Sequence, residues 1–469
     1  MRQLKSGVWC LPVWRLPRSV TGSSWEKQAE ARVLLPDASR FMKLPSATLR
    51  PGLLGLLLAS SVLLKAAEPA PAPGPLAAAL QPLVDRQIIA GAVALVADKE
   101  KVLALEAVGL ASVKDKIPMR TDNLFWIASM SKSVTGASLM MLVDEGKLSL
   151  DDAVEKHLPE FKGQKLVPEE GGAERSPGHP ITVREVMSHT SGLISAGDKR
   201  LKQKNLLAEN VAQYAAAPLL REPGAKYQYN NSGINTGARV VEVLAGQPFA
   251  EFQKSRLFTP LGMKDTTYWP TEEQGSRLAR TVKRTDDQKG LEDIHLDKTL
   301  TPEGIARLSK GVKVPQLMLT NFGVGKIFEY QNQYGEPAGG LFSTAADMGT
   351  FCQMLLNGGT WKGTRYLSEK AVHEMAASQT AGVSVNPSET YGVGVSIKIK
   401  EDEGLPAGSY GHRGARKTMM WIDPQHDLAL VLLVQLWELR PEDQKELYST
   451  FLKTAVEKYG SPLRGQTKE

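Results

Sequence analysis

Short β-rich runs stand at the two ends of this chain and helical periodicity fills the middle, a distribution that restricts its fold more than any other feature. Gly91 to Val108 alternates apolar stretches around Asp98-Lys99-Glu100-Lys101, the pattern of a two-stranded hairpin with a polar turn. The matching cluster comes late: Tyr391 to Ile399, Lys417 to Ile422 and Leu428 to Gln435 are short β-rich runs separated by Gly, Pro and Asp signals. Between them the periodicity predicts helices. One starts near Ser129, carries Val134, Ala137, Ser138, Met141 and Leu142 on one face, and stops at Gly146. Others cover Ile234 to Leu244, Ala345 to Leu356 and Pro441 to Tyr459. The expected class is α+β: one antiparallel sheet built from N- and C-terminal strands and flanked by helices, with a mainly helical region inserted between them. Arg277 to Pro315 is polar and weakly periodic, and reads as a surface excursion.

A chain of 469 residues is long enough for a full core. Its 42% apolar and 23% charged content is that of a globular protein, which excludes a disordered tail or a multi-span membrane protein. The net charge of +6 would suggest a nucleic-acid partner if it were spread over the body. It is not. Residues 1–67 hold ten Lys and Arg against three acids, which leaves the remainder at −1, so no nucleic-acid partner is expected.

From Met42 the chain reads as a secretory leader: Lys43 and Arg50, the apolar run from Gly52 to Leu64, then Ala66 and Ala67. That run of thirteen residues is shorter than the roughly 20 of an ordinary membrane span. Residues 42–67 are therefore expected to be a signal peptide and the protein to be exported, to the periplasm or beyond the cell. Membrane anchoring by the same segment is the alternative. Residues 1–41 fit neither role and are expected to be an extension upstream of a true start at Met42. The two cysteines, Cys10 and Cys352, offer no disulfide to the exported body.

Three weak patterns carry the chemistry. Ser129-Met130-Ser131-Lys132 sets a hydroxyl and an amine three residues apart, on one face of a helix, where the amine can act on the hydroxyl. A helix start at Ser129 would add free N–H groups where an oxyanion forms. Tyr229-Asn230-Asn231 follows Pro223-Gly224 and precedes a helix, so that a phenol and an amide project together. A tyrosine whose pKa is lowered by nearby ammonium groups can serve as a general base. Gly411-His412-Arg413-Gly414 lies between strand candidates and is expected to form the edge strand of a cleft, with the N–H of Ala415 completing an oxyanion hole. Each pattern is cheap alone, since Ser24-Trp25-Glu26-Lys27 matches the first and Tyr330-Gln331-Asn332 the second. His189-Thr190-Ser191-Gly192-Leu193 reads as a helix end and turn with a structural role. The seven histidines show no paired ligand spacing, and no thiol pair, Gly-x-Ser-x-Gly elbow, phosphate loop or dinucleotide fingerprint occurs, so neither a metal nor a cofactor is expected.

In their fixed order, Ser129/Lys132, Tyr229/Asn231 and His412/Gly414 together resemble the serine β-lactamase and penicillin-binding protein superfamily, in particular its class C-like branch of β-lactamases, D-alanyl-D-alanine carboxypeptidases and esterases. Gly339-Gly340-Leu341-Phe342-Ser343-Thr344 and Trp421-Ile422-Asp423-Pro424 look like that branch too. The resemblance makes residues 68–460 the hydrolase domain and 461–469 a polar tail. It implies acyl transfer with Ser129 as nucleophile, proton work shared by Lys132 and Tyr229, Asn231 on the substrate amide, and the N–H groups of Ser129 and Ala415 on the oxyanion. His412 stands where many members carry the Lys of Lys-Thr-Gly. Arg413, with Arg416 and Lys417 behind it, departs from the small residues usual there; two readings stand equally, recognition of a substrate carboxylate by these cations and a solvated strand end. The implied partner is a small-molecule or peptide substrate, with association with the cell wall in view; a non-catalytic muropeptide-binding or partner-binding module is the alternative.

Overall fold

The computed structural model describes residues 73–167, 171–202, 204–294, 334–380 and 382–462. These belong to one compact unit, Ala70–Glu469. The upstream extension, the leader, most of the polar tail and the later part of the Arg277–Pro315 excursion lie outside the described residues.

The two termini build one eight-stranded antiparallel sheet. On the N-terminal side are β1 (Gly91–Ala97), β2 (Val102–Ser112) and β3 (Ile117–Pro118); on the C-terminal side are β4 (Glu389–Tyr391), β5 (Ser396–Lys398), β6 (Tyr410–Arg413), β7 (Met419–Asp423) and β8 (Leu428–Leu433). The order is β4-β5-β6-β7-β8-β1-β2-β3, so the N-terminal and C-terminal strand groups join where β1 pairs with β8, Val93 opposite Leu433 and Ala97 opposite Ala429. The hairpin turn at Asp98 is locked by its carboxylate, which accepts from the N–H groups of Glu100 and Lys101.

Both faces of β1 are buried, and the period-two alternation of strand side chains divides them between two cores. Ala92, Ala94 and Val96 face α1 (Pro75–Asp85) and the C-terminal helix Pro441–Tyr459, which presents Leu447, Phe451 and Ala455. Val93, Leu95 and Ala97 face the inserted helical region, led by α2 (Ser131–Asp144), α3 (Asn231–Ala245) and α4 (Ala345–Leu356). The C-terminal helix is α5.

Four expectations are corrected. Tyr391–Ile399 is two strands, β4 and β5, folded back at Gly392-Val393-Gly394. β6 is not an edge strand, because β5 pairs on one side of it and β7 on the other. α2 has no single apolar face; every residue from Ser131 to Leu142 is buried. The start of the excursion is anchored, with the buried Asp293 carboxylate accepting from Ser112 Oγ at 2.6 Å and Val113 N–H at 2.9 Å. α1, within a Pro/Ala-rich stretch, is a helix the sequence pattern does not single out.

A helix buried all round must let backbone approach backbone, and glycines on both sides allow it here. A Cβ on Gly136 of α2 would lie 2.2 Å from Val393 O, and one on Gly394 would lie 2.3 Å from Lys132 O. Ser133 Oγ closes the contact by donating to Gly394 O at 3.0 Å. Gly136→Ala, which in an exposed helix adds up to about 1 kcal/mol of stability, is expected here to cost about 2 kcal/mol or more. Urea denaturation checks this; a rise in midpoint would contradict the contact.

Candidate active site

Ser129 lies in a 3-10 turn, Ala128–Met130, that runs directly into α2. Ala128 before it has φ +48, left-handed backbone that alanine adopts only when its surroundings hold it. They do. Ile127 N–H donates to Leu341 O, Thr418 Oγ1 donates to Ile127 O at 3.2 Å, and Ser131 Oγ accepts from Leu341 N–H at 3.1 Å.

Lys132 has no exposed surface, and its Nζ lies 3.1 Å from Ser129 Oγ. It also donates to Ala338 O at 2.6 Å. Burial lowers its pKa from 10.5 to about 7, against a smaller upward pull from the Glu336 carboxylate. Near neutral pH a large share of this lysine is a free amine beside a hydroxyl.

Tyr229 stands on the open wall of the cleft, 46% exposed, with its hydroxyl near that of Ser129. Its ring centroid is 4.7 Å from Lys132 Nζ. The sequence expectation of a lowered tyrosine pKa is overturned: although the residue as a whole is half exposed, the protein packed around its hydroxyl pushes the pKa up to about 12, and the interaction with Ser129 only moderates the rise. A phenol at that value is a proton carrier and a poor base at pH 7. Asn230, not Asn231, caps α3, its side chain accepting from Ser232 N–H. That frees Asn231, whose buried amide oxygen takes no hydrogen bond within the protein.

Gly414 brings the end of β6 against the Ser129 turn, because a Cβ there would lie 2.4 Å from Ile127 O. Ala415 is exposed in the following turn, which Gly414 N–H closes by donating to Thr418 O. His412 is buried and neutral, its pKa lowered to about 3 by burial first and by the charge of Lys132 second. Its Nδ1–H donates to Arg413 O, so Nε2 accepts from the Tyr391 hydroxyl at 3.0 Å.

Alternation along β6 turns Arg413 to the opposite face of the sheet from His412. Its guanidinium packs 4.6 Å from the Tyr448 ring of α5 and pairs with Glu403, so it is no part of the cleft; the expected carboxylate site fails at this residue. Lys417 donates to Gln444 of α5 at 2.7 Å. Arg416 lies on Trp437 at 4.1 Å and near Trp126 at 5.4 Å, and burial lowers its pKa to about 10.

Three contributors escape a reading of catalytic residue types. Pro337, Ala338 and Gly339 offer successive carbonyls to Thr135 Oγ1, Lys132 Nζ and Trp126 Nε1. Asn235, one turn beyond Asn231, accepts the Ala338 N–H and so helps to fix the residue whose carbonyl receives Lys132. His189, expected in a structural turn, stands with its ring 4.6 Å from those of Tyr229 and Tyr391. Gly339-Gly340-Leu341 was the visible signal for the first of these.

The chain is 29% identical to Protein Rv1367c of Mycobacterium tuberculosis over 76% of its own length and 88% of that protein. It is 30% identical to Esterase EstB of Burkholderia gladioli over 57% of this chain and 66% of the esterase. Among solved structures, EstCE1, a hydrolase with promiscuous acyltransferase activity, shares the fold at a TM-score of 0.63 and 22% identity, with 81% of this chain and 97% of that one covered. Residues 76–454 match the beta-lactamase family. Matched over most of its length, the chain belongs to that family, in its class C-like branch of serine hydrolases.

Proposed function

We propose that this protein hydrolyses an uncharged ester or amide through an acyl-enzyme on Ser129, with Lys132 as the base. The observation that carries it is the buried Lys132 amine, 3.1 Å from Ser129 Oγ and with its pKa lowered to about 7. In acylation the Ser129 proton passes to Nζ, Oγ bonds to the substrate carbonyl carbon, and the carbonyl electrons move onto oxygen. The N–H groups of Ser129 and Ala415 hold that oxyanion, each worth about 3 kcal/mol in the transition state. Collapse breaks the bond to the leaving group, which takes its proton from the Tyr229 hydroxyl, itself resupplied by the Lys132 ammonium. Water then releases the acid by the same steps in reverse, and Asn231 orients the substrate.

The substrate class follows from charge. With His412 neutral and Arg413 turned to the far face, the strand β6 itself presents no cation to a carboxylate. An ester supports that arrangement better than a β-lactam or a peptide C-terminus, and the names of Esterase EstB and of the hydrolase EstCE1 agree with it.

Intact-mass spectrometry of protein incubated with a short p-nitrophenyl ester and, separately, with a fluorescent penicillin tests the reading. Ester turnover with a transient acyl adduct, lost in Ser129→Ala, is the expected result; a penicillin adduct that persists would point to a carboxypeptidase, and no Ser129-dependent reaction to a binding module. The free amine is the active form, so kcat/KM for the ester should fall about tenfold per pH unit below about 7 and level off above it. Lys132→Met should abolish that dependence and cost about 10,000-fold in rate. Arg413→Ser is expected to lower the melting temperature without altering the KM ratio of carboxylate-bearing to neutral esters; a shifted ratio would return Arg413 to the cleft.

A further inference from the structure

We propose that His189 is a positioning residue for Tyr229, gripping the residues on either side of it and so setting where the phenol meets Ser129. The proposal rests on the acyl-transfer reading, in which Tyr229 delivers the leaving-group proton. His189 O accepts the N–H of Gln228 at 2.8 Å, and His189 Nδ1 accepts the N–H of Asn230 at 3.1 Å. The residue between those two is Tyr229, held from both sides by one histidine. The imidazole fills the space between the Tyr229 and Tyr391 rings, 4.6 Å from each, and Tyr391 in turn donates to His412. One side chain thus ties the Tyr229 loop to the β4 and β6 strands of the cleft.

The local backbone is built for that grip. His189 has φ +63, left-handed, so that carbonyl and ring both reach the 228–230 segment. The neighbouring Thr190 fixes the turn, its N–H donating to Glu185 O and its carbonyl accepting from Gly224 N–H. With Nδ1 accepting, the ring proton sits on Nε2, a buried atom without a hydrogen-bond partner. A space-filler there would be served better by an apolar side chain. The acceptor at Nδ1 is what the histidine adds. Burial, reinforced by the charge of Lys132, holds the ring neutral and that acceptor available.

The test separates positioning from packing by the leaving group. An alkyl ester needs a proton on its departing alkoxide, whereas p-nitrophenolate leaves without one. His189→Leu is expected to lower kcat/KM, which reports acylation alone, at least about 30-fold for the alkyl ester and less than about threefold for the p-nitrophenyl ester of the same acid. His189→Asn, whose Oδ1 stands near the place of Nδ1 and whose side chain tolerates left-handed backbone, should recover the alkyl-ester rate to within about threefold. In a Tyr229→Phe background His189→Leu should add less than about twofold. Equal losses on both esters, additivity in that background, or Asn as damaging as Leu would overturn the proposal. Should His189→Leu fail to fold, His189→Gln, which displaces the acceptor by a methylene, replaces it in the same comparison. Wild-type protein that turns over neither ester in a Ser129-dependent way would overturn the acyl-transfer reading itself, a result distinct from any of these.

Discussion

An amine buried in protein loses the water that stabilises its ammonium form, and the pKa falls until the neutral form competes. Lys132 is held in that condition. Its stem leaves a helix buried on every side, its Nζ reaches Ser129 Oγ, and one of its N–H groups is taken by Ala338 O. The rest of the site depends on this placement. A solvated lysine would be a permanent cation at neutral pH, unable to receive the serine proton. A buried lysine without the Ala338 carbonyl would carry an unpaired donor at a cost of about 1 to 3 kcal/mol.

Much of the surrounding architecture serves to hold that helix. The β4–β5 turn packs directly on the α2 backbone through Gly394 and Gly136. The Pro337–Gly339 carbonyls face it from another side, steadied by Asn235. The end of β6 presses on Ile127 through Gly414. The antiparallel sheet, closed where β1 meets β8, is what brings the late β5–β7 segments to a serine near the start of the domain. Ser129, Tyr229 and His412 are far apart in sequence, and each is delivered by an element whose own packing fixes its position.

The architecture was legible because its strands and helices are regular. The α4 and α5 boundaries follow the amphipathic period to the residue. The serine, lysine, tyrosine and histidine that meet in the cleft were legible as patterns in a fixed order. What the sequence hides is direction and environment. Arg413 next to His412 reads as a cleft cation, yet strand alternation sends it to the far face. Tyr229 near a lysine reads as an acidified phenol, but the loss of solvent around its hydroxyl outweighs the interaction with Ser129 and raises its pKa. His189 reads as a turn residue because its partners, the N–H groups of Gln228 and Asn230, lie about 40 positions away and carry no side-chain signature.

The central claim is that Lys132 is largely a free amine near neutral pH, and a carbon-13 NMR titration of lysine-labelled protein tests it most directly. One lysine Cε resonance should titrate with a midpoint near pH 7, far from the ordinary 10.5, and disappear in Lys132→Met. If every lysine titrates at its ordinary value, Lys132 is an ammonium in the folded protein and cannot be the base for Ser129.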